Sequence, residues 1–400
     1  MKIPGMIPIG AFVKNGAIIP AWSAKSDWMG TPVERLCCLR WAGADSNCVL
    51  AGTDDGKIYL GPSGSKLELK HEDGGTTPFV VEMFDGNAHT MLISGNSFTT
   101  AHGRERLHGG FTQNLSCGVM RCGRLFGADA DKPYVLKWSG RLGFADWVES
   151  ISGAGRLGLE ADGGYIIDLF DFEDALIILR ENSVMRYSVY GDPENFRKIS
   201  SVTVPKVFKH SAAIAGDSLL FVTQGGLMRY RGGKVEKVDG LISDDMISAH
   251  SCVVHDGRYY FVCGLSRGLN RNVIYAYDFI DDCYEIIDKN VDFISQDGES
   301  AVAYTSVNIF RMTFDNEFEN YSVTTGNINF GTTKRKLATM LEVDCDEGVK
   351  AYVYNGSDRV RLGYVKGRVR LNIRGTEFRV IFESQKGVVR SAKLTAEVIG

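Results

Sequence analysis

The chain has 400 residues, with 45 Lys and Arg against 49 Asp and Glu and a formal charge of −4. It is 44% hydrophobic and 24% charged, which excludes a disordered chain, and its balance of sign argues against a general nucleic-acid binder. No run approaches the ~18 consecutive apolar residues of a membrane-spanning helix, so no membrane insertion is expected.

Residues 1–34 hold Pro4, Pro8, Pro20 and Pro32, four of the nine prolines, and show no strand of length. Pro4 and Pro8 interrupt the apolar start, and no small-residue cleavage site follows, so a secretory signal is not expected. An extended arm is predicted here, docking on its own body or on a neighbour. Trp22 and Trp28 are its candidate assembly contacts.

From residue 35 to residue 320 the pattern is short runs of β-branched and aromatic residues joined by tight turns. Asp55-Gly56, Asp85-Gly86, Asp162-Gly163, Asp256-Gly257 and Asp297-Gly298 supply residues that tolerate positive φ at a two-residue hairpin. Five hairpins are legible. Val49–Ala51 faces Lys57–Leu60, Ala175–Leu179 faces Val184–Tyr187, and Ser218–Val222 faces Gly226–Tyr230. Cys252–Val254 faces Arg258–Val262, and Val273–Tyr277 faces Cys283–Ile287. The units recur every ~35–45 residues, the length of a four-stranded propeller blade. The prediction is an all-β chain with a β-propeller of six or seven blades.

Residues 321–400 change rhythm. Six alternating strands are predicted at 336–343, 349–354, 359–364, 368–373, 378–382 and 392–398, with a turn at Asn355-Gly356, which suggests a small β-sandwich. This is also the basic end. Lys334, Arg335, Lys336, Arg368 and Arg370 form a candidate cationic surface, and contact with DNA requires those charges to cluster in space.

Motifs with chemical meaning were weighed against plain alternatives. Gly153-Ala-Gly155-Arg-Leu-Gly158 has dinucleotide-fingerprint letters, but the turn that follows leaves no room for the helix that would hold a pyrophosphate. Gly216-Asp217-Ser218-Leu219 has serine-esterase letters, but falls on a hairpin with no base placed to activate the serine. His89, His102 and His108 lack metal-ligand spacing, and the nine cysteines contain no Cys-x-x-Cys, so no metal site, no cofactor and mostly buried free thiols are expected. The pairs Asp129/Asp131, Asp168/Asp171, Asp244/Asp245 and Asp281/Asp282 read as turn carboxylates rather than glycosidase acids. The chain is therefore read as a non-enzyme.

The segment Tyr134-Val-Leu-Lys-Trp138-Ser139, its loop to Asp146-Trp147, Gly163-Gly-Tyr-Ile-Ile-Asp-Leu169, and the hairpin Ala175–Tyr187 resemble a pattern in β-propeller proteins of tailed-phage virions. These are the head-to-tail stabilisation and tail-nozzle proteins. Asn329-Phe330-Gly331-Thr-Thr-Lys334-Arg335-Lys336 resembles the lead into their last domain. The resemblance implies a phage or prophage virion structural protein of the neck or tail, made in the bacterial host cytoplasm and acting by ring assembly. Its partners would be copies of itself, other virion proteins and, at the basic end, viral DNA. Trp138 and Trp147 join the arm tryptophans as candidate assembly contacts. The alternative is a carbohydrate-binding or glycan-cleaving propeller that engages the host surface, with Tyr134, Trp138 and Trp147 as a sugar platform.

Overall fold

The computed structural model describes residues 7–399 apart from 10, 15–16, 21, 29–35, 42–47, 54, 63–67, 73–76, 85–87, 103–104, 142, 160–162, 239–245, 266–271, 288–289, 298–299, 305–308, 319–320, 357 and 385–386. The described residues are overwhelmingly strand, with a single four-residue α-helix, Glu149–Ser152. None of their helices is long and apolar enough to cross a membrane.

Antiparallel sheets follow one another along the chain. Sheet I spans residues 36–72 in four strands, and sheet II spans 79–158 in six. Sheet III covers 166–203 and sheet IV covers 207–237, four strands each. Sheet V comprises Met246–His255, Arg258–Leu265, Asn272–Asp278 and Cys283–Ile287. Sheet VI comprises Phe293–Asp297, Ser300–Tyr304, Ile309–Phe318 and, from the start of the chain, Trp22–Trp28. Inner strands of successive sheets touch in a cycle that returns from sheet VI to sheet I, with Phe79–Phe84 of sheet II meeting sheet I and Glu105–Arg121 meeting sheet III. Sheets radiating from a ring of inner strands make the protein a β-propeller.

Turn chemistry sets the hairpins. Asp256 and Gly257 have φ of 47° and 72°, and Glu173 and Asp174 have φ of 49° and 57°, the all-positive geometry whose twist matches the flanking strands. All five hairpins read from the sequence form with the expected partners. The middle strands Ala175–Arg180 and Ser218–Thr223 are buried along their whole length, because each sheet is covered on both faces. Polar bonds tie neighbours together as well. Arg121 of sheet II pairs with Asp171 of sheet III, Glu173 accepts from Gly232 N in sheet IV at 2.5 Å, and Arg229 donates to Tyr277 Oη in sheet V at 2.5 Å.

The described part of the first 34 residues docks on its own body, one of the two expected arrangements, but it does so as strands. Their strand Trp22–Trp28 runs for seven residues and pairs with Ile309–Phe318, so the start of the chain completes the sheet at its end. Upstream, Ile7–Ile9 lies between Cys283–Ile287 and Tyr321–Thr324, and Ala17–Pro20 reaches Val389. The six strands expected after residue 335 are all present. One row carries 359–365, 349–354, 379–384 and 321–324, and a second carries 367–375, 336–345 and 389–398. Their inward side chains Leu341, Val343, Val353, Phe378 and Phe382 join one apolar cluster with Tyr259, Phe261 and Tyr275 of sheet V. The terminal region is thus packed onto the propeller through a shared core.

Candidate functional site

Three places in the fold stand apart from ordinary packing: an overlong hairpin in sheet II, a cationic edge strand, and a group of ionisable side chains on the inner strands.

The hairpin comes from strands of 15 and 17 residues, Ala88–His102 and Glu105–Arg121, in a propeller whose other strands have ten or fewer. Residues 88–93 pair outward with Phe79–Phe84, and 115–121 pair with Arg124–Asp129. Residues 97–102 pair as strand with residues 105–110 and, among the described residues, form no ladder with a third strand. The root of this extension is clamped. Phe98 meets Phe144 edge-on at 5.3 Å and shares an apolar cluster with Met91, Leu115 and Trp147.

That clamp corrects the reading of Trp147 as an assembly contact. Trp147 is only 8% exposed and braces the hairpin from within the subunit. Trp138, also 8% exposed, packs against Phe126 and Phe196 and donates from Nε1 to Gly153 O at 3.2 Å. Neither ring is free for a partner or a sugar, because both fill the subunit's own core. The indole of Trp138 also explains the glycine motif. A Cβ at Gly155 would come within 2.6 Å of its ring, and Gly153 caps the short helix at φ 67°. Residues 155–158 form a strand paired with Val135–Trp138. Trp22 and Trp28 lie on the strand that closes sheet VI; their side chains fall outside the described residues.

The basic surface divides. Lys334, Arg335, Arg368 and Arg370 are exposed, and the last two lie on the edge strand Gly367–Gly375. Lys336 does not belong with them. It is 1% exposed, and its Nζ donates to Thr332 O, Lys334 O and Thr376 O at 2.6–2.7 Å, a buried cation that satisfies three carbonyls.

The third place was missed in the sequence. Inner strands break register at one recurring position, before Cys117, Asp168, Ala212 and Cys252 in sheets II to V. A bulge leaves one or more residues unpaired and re-aims a side chain. In sheet IV the excursion runs from Phe208 to Ser211 and is held by Ser211, whose Oγ donates to Phe208 O at 2.7 Å and accepts from Val222 N at 3.2 Å. In sheet V, Ser251 Oγ accepts from Ile294 N of sheet VI at 2.9 Å, and His250 Nε2 donates to Asp292 O at 2.9 Å. His210 and Ser251 carry the strain, with φ of 59° and 42°. The sequence held the signal, since His210-Ser211 recurs as His250-Ser251, 250 − 210 = 40 residues later, one blade length.

These bulges gather charge. Burial pushes the Asp168 carboxyl up to about 7, against the pull of Leu169 N–H and of Lys209. Burial, then the charges of Lys209 and His250, lower His210 to about 4. Cys117 is raised by burial and by Asp168, so it is a thiol and not a nucleophilic thiolate.

The remaining motifs have structural partners. Ser218 Oγ donates to Asp217 at 3.0 Å, and Asp217 pairs with Arg231 at 2.6 Å, so the esterase letters make a turn. Burial would raise Asp129, but Lys137 and the N–H groups of Asp131 and Lys132 overcome it and lower its pKa. Asp282 accepts from Tyr277 Oη at 2.6 Å, and Asp244/Asp245 lie outside the described residues. Among the described residues no three His, Cys, Asp or Glu side chains form a metal-holding group, and six cysteines are free.

No family model matches the sequence, and no curated protein matches it. Solved structures similar to it include the Neurospora crassa Pan2 WD40 domain, with 10% identity, 75% of this chain and 98% of that chain covered, and a TM-score of 0.48. The WD40 β-propeller domain of Doa1 covers 74% of this chain and 98% of its own, at 12% identity and TM-score 0.47. The extracellular domain of the putative hybrid two-component system BT4673 from B. thetaiotaomicron is 14% identical with a TM-score of 0.47, covering 85% of this chain but 45% of its own.

Proposed function

We propose that this propeller is a structural subunit of a tailed-phage or prophage virion, of the neck or tail, that works by ring assembly and protein contact and catalyses no reaction. In this reading sheets I to VI are six blades closed by Trp22–Trp28, and the two rows of terminal strands form a β-sandwich. The observation that carries it is the sheet II hairpin, whose 15- and 17-residue strands run past their outer partners Phe79–Phe84 and Arg124–Asp129 from a clamped root, a reach that suits pairing with a sheet of a neighbouring subunit. The exposed arginines of the edge strand Gly367–Gly375 offer a second contact, to an acidic partner surface or viral DNA. The glycan alternative keeps only one of its three platform aromatics at the surface, Tyr134, which is 43% exposed. Trp138 and Trp147 are enclosed, and on the terminal domain Arg359 already stacks over Tyr352 at 3.9 Å.

Light scattering with negative-stain imaging tests the proposal. Rings, or an assembly on adding the neighbouring virion proteins, are expected. A variant with residues 99–108 replaced by a two-residue Asn-Gly turn should lose assembly while keeping its melting temperature. A strict monomer at high concentration, alone and with those proteins, overturns the reading.

A further inference from the structure

The charged side chains on the inner strands need an explanation that assembly does not give. Bulges cost ladder hydrogen bonds, and non-glycine residues at positive φ cost more, roughly 1–3 kcal/mol each. The bulges fall at equivalent places in sheets IV and V, the strained residue being His210 in one and Ser251 in the other, and a serine hydroxyl bonds at each. A purely structural ring would fill such positions with apolar residues. Here the excursion in sheet IV presents Lys209, an exposed cation, next to half-buried His210. Sheet V contributes His250, and sheet III contributes Asp168. The inner strands of sheets III, IV and V are direct neighbours, which brings these residues to adjacent strands at the bulge level. Lys209 lies within electrostatic reach of Asp168, His210 and Cys117.

We propose that this group on the inner strands of sheets III to V is a binding site for a small oxyanion of phosphate size, held by Lys209, His210 and His250. The donor set favours an anion. Lys209 brings a full positive charge and His210 an imidazole with no hydrogen-bond partner among the described residues. His250 uses Nε2 on the Asp292 carbonyl and keeps Nδ1. Thiolate and metal chemistry fit less well, since Cys117 is held as a thiol and the described residues offer no metal-ligand group. Asp168 opposes the anion when ionised and stops opposing it when protonated. Because burial raises that carboxyl to about 7, the site should weaken as pH rises from 6 to 8. His210, lowered to about 4, stays neutral across that window and adds no slope of its own.

The test is a titration of the full chain with inorganic sulfate, a tetrahedral oxyanion whose charge does not change in this window, followed by NMR of the histidine rings at pH 6 and pH 8. Saturable shifts confined to His210 and His250 are expected, while His255, on the same strand but beyond the bulge, stays unmoved. Affinity should fall at least tenfold in Lys209→Gln, an exposed position whose substitution leaves the core intact. Asp168→Asn should remove most of the pH dependence. Acetate, run in parallel, distinguishes a tetrahedral from a planar oxyanion requirement. Equal, non-saturating shifts at all seven histidines, no shift at all, or unchanged affinity in Lys209→Gln would overturn the site. The outcome does not depend on ring assembly, which is measured separately by mass.

Discussion

The middle strands of the blades and the edge strand of the terminal domain solve the same problem differently. Ser218–Thr223 is buried at all six positions and carries Leu219, Leu220, Phe221 and Val222 in succession. Gly367–Gly375 alternates, with Arg368, Arg370, Asn372 and Arg374 outward and their neighbours partly or fully covered. A blade sheet has neighbours on both faces, so every side chain meets protein; a terminal row has one covered face and one in contact with water. Substitution costs should therefore differ by several-fold between the two regions, and that difference is measurable.

Phe221→Ala should show the largest effect. The ring is fully buried between sheets, among Leu219, Met228 and Tyr230 of its own sheet and Phe172 and Ile177 of sheet III. Truncation removes an aromatic ring and leaves a cavity the rigid strands cannot close, at a cost of about 3–5 kcal/mol. Chemical denaturation should show it as a drop in midpoint with little change in slope. A loss below ~1 kcal/mol would mean that the blade interface is loose and that two-sided burial is not what stabilises it.

Lys336 sharpens the contrast inside the terminal domain. Lys336→Met keeps the stem but removes the donor that three part-buried carbonyls share, an expected loss of about 1–3 kcal/mol. Its exposed neighbour in Arg335→Ala should cost less than ~0.5 kcal/mol. Equal effects at the two positions would restore Lys336 to the cationic surface. The pair also shows where sequence reading reached its limit. Lys334, Arg335 and Lys336 are indistinguishable as letters, and strand alternation alone does not say that a lysine turns inward. Burial of that ammonium depends on the carbonyls of Thr332 and Thr376 converging, and the second comes from a turn 40 residues away.

The hairpins were legible because their cause is local: a turn pair that accepts positive φ, flanked by apolar runs. Trp138 and Trp147 were misread for the opposite reason. Their cover comes from Phe196, Gly155, Phe98 and Phe144, none of which is fixed by nearby sequence. The closing strand Trp22–Trp28 was hidden because its partner lies almost 300 residues downstream. The inner-strand group was legible in part, through the repeated His-Ser pair, but only a known blade register brings Asp168 and Lys209 beside it.

A pH scan probes the blades through Glu285. This carboxyl is fully buried in sheet V, 3.8 Å from Arg258, and burial raises it to about 7 despite that arginine. A carboxyl raised on folding is stabilising while protonated, so this contribution is present below about 4.5, its ordinary value, and is lost as pH rises to about 7. Asp168 adds a slope of the same sign, and His210, lowered to about 4, adds the opposite sign between about 4 and 6.5. Glu285→Gln should therefore flatten the decline in stability between pH 5 and 7 and leave the variant more stable at pH 8, by on the order of 1–3 kcal/mol. A variant less stable at pH 8 would show that the Arg258 pair is worth more than the desolvation it costs.

The smallest expected effect concerns the outer face of the edge strand. Arg368 Nε donates to Glu342 Oε1 at 2.9 Å, with the two side chains 71% and 36% exposed. A pair so open to solvent is screened, and holding two long side chains in place offsets most of its attraction, so the coupling should be below ~0.5 kcal/mol. A double-mutant cycle of Arg368→Ala and Glu342→Ala in the isolated subunit measures it. Repeating the cycle on the assembled form is the informative step. If the strand contacts an acidic partner surface, Arg368→Ala should weaken assembly while Glu342→Ala strengthens it, and added salt should reduce both effects. If the face stays solvated, both variants behave like the parent in the assembly measurement, and the sheet II hairpin is left as the proposed contact.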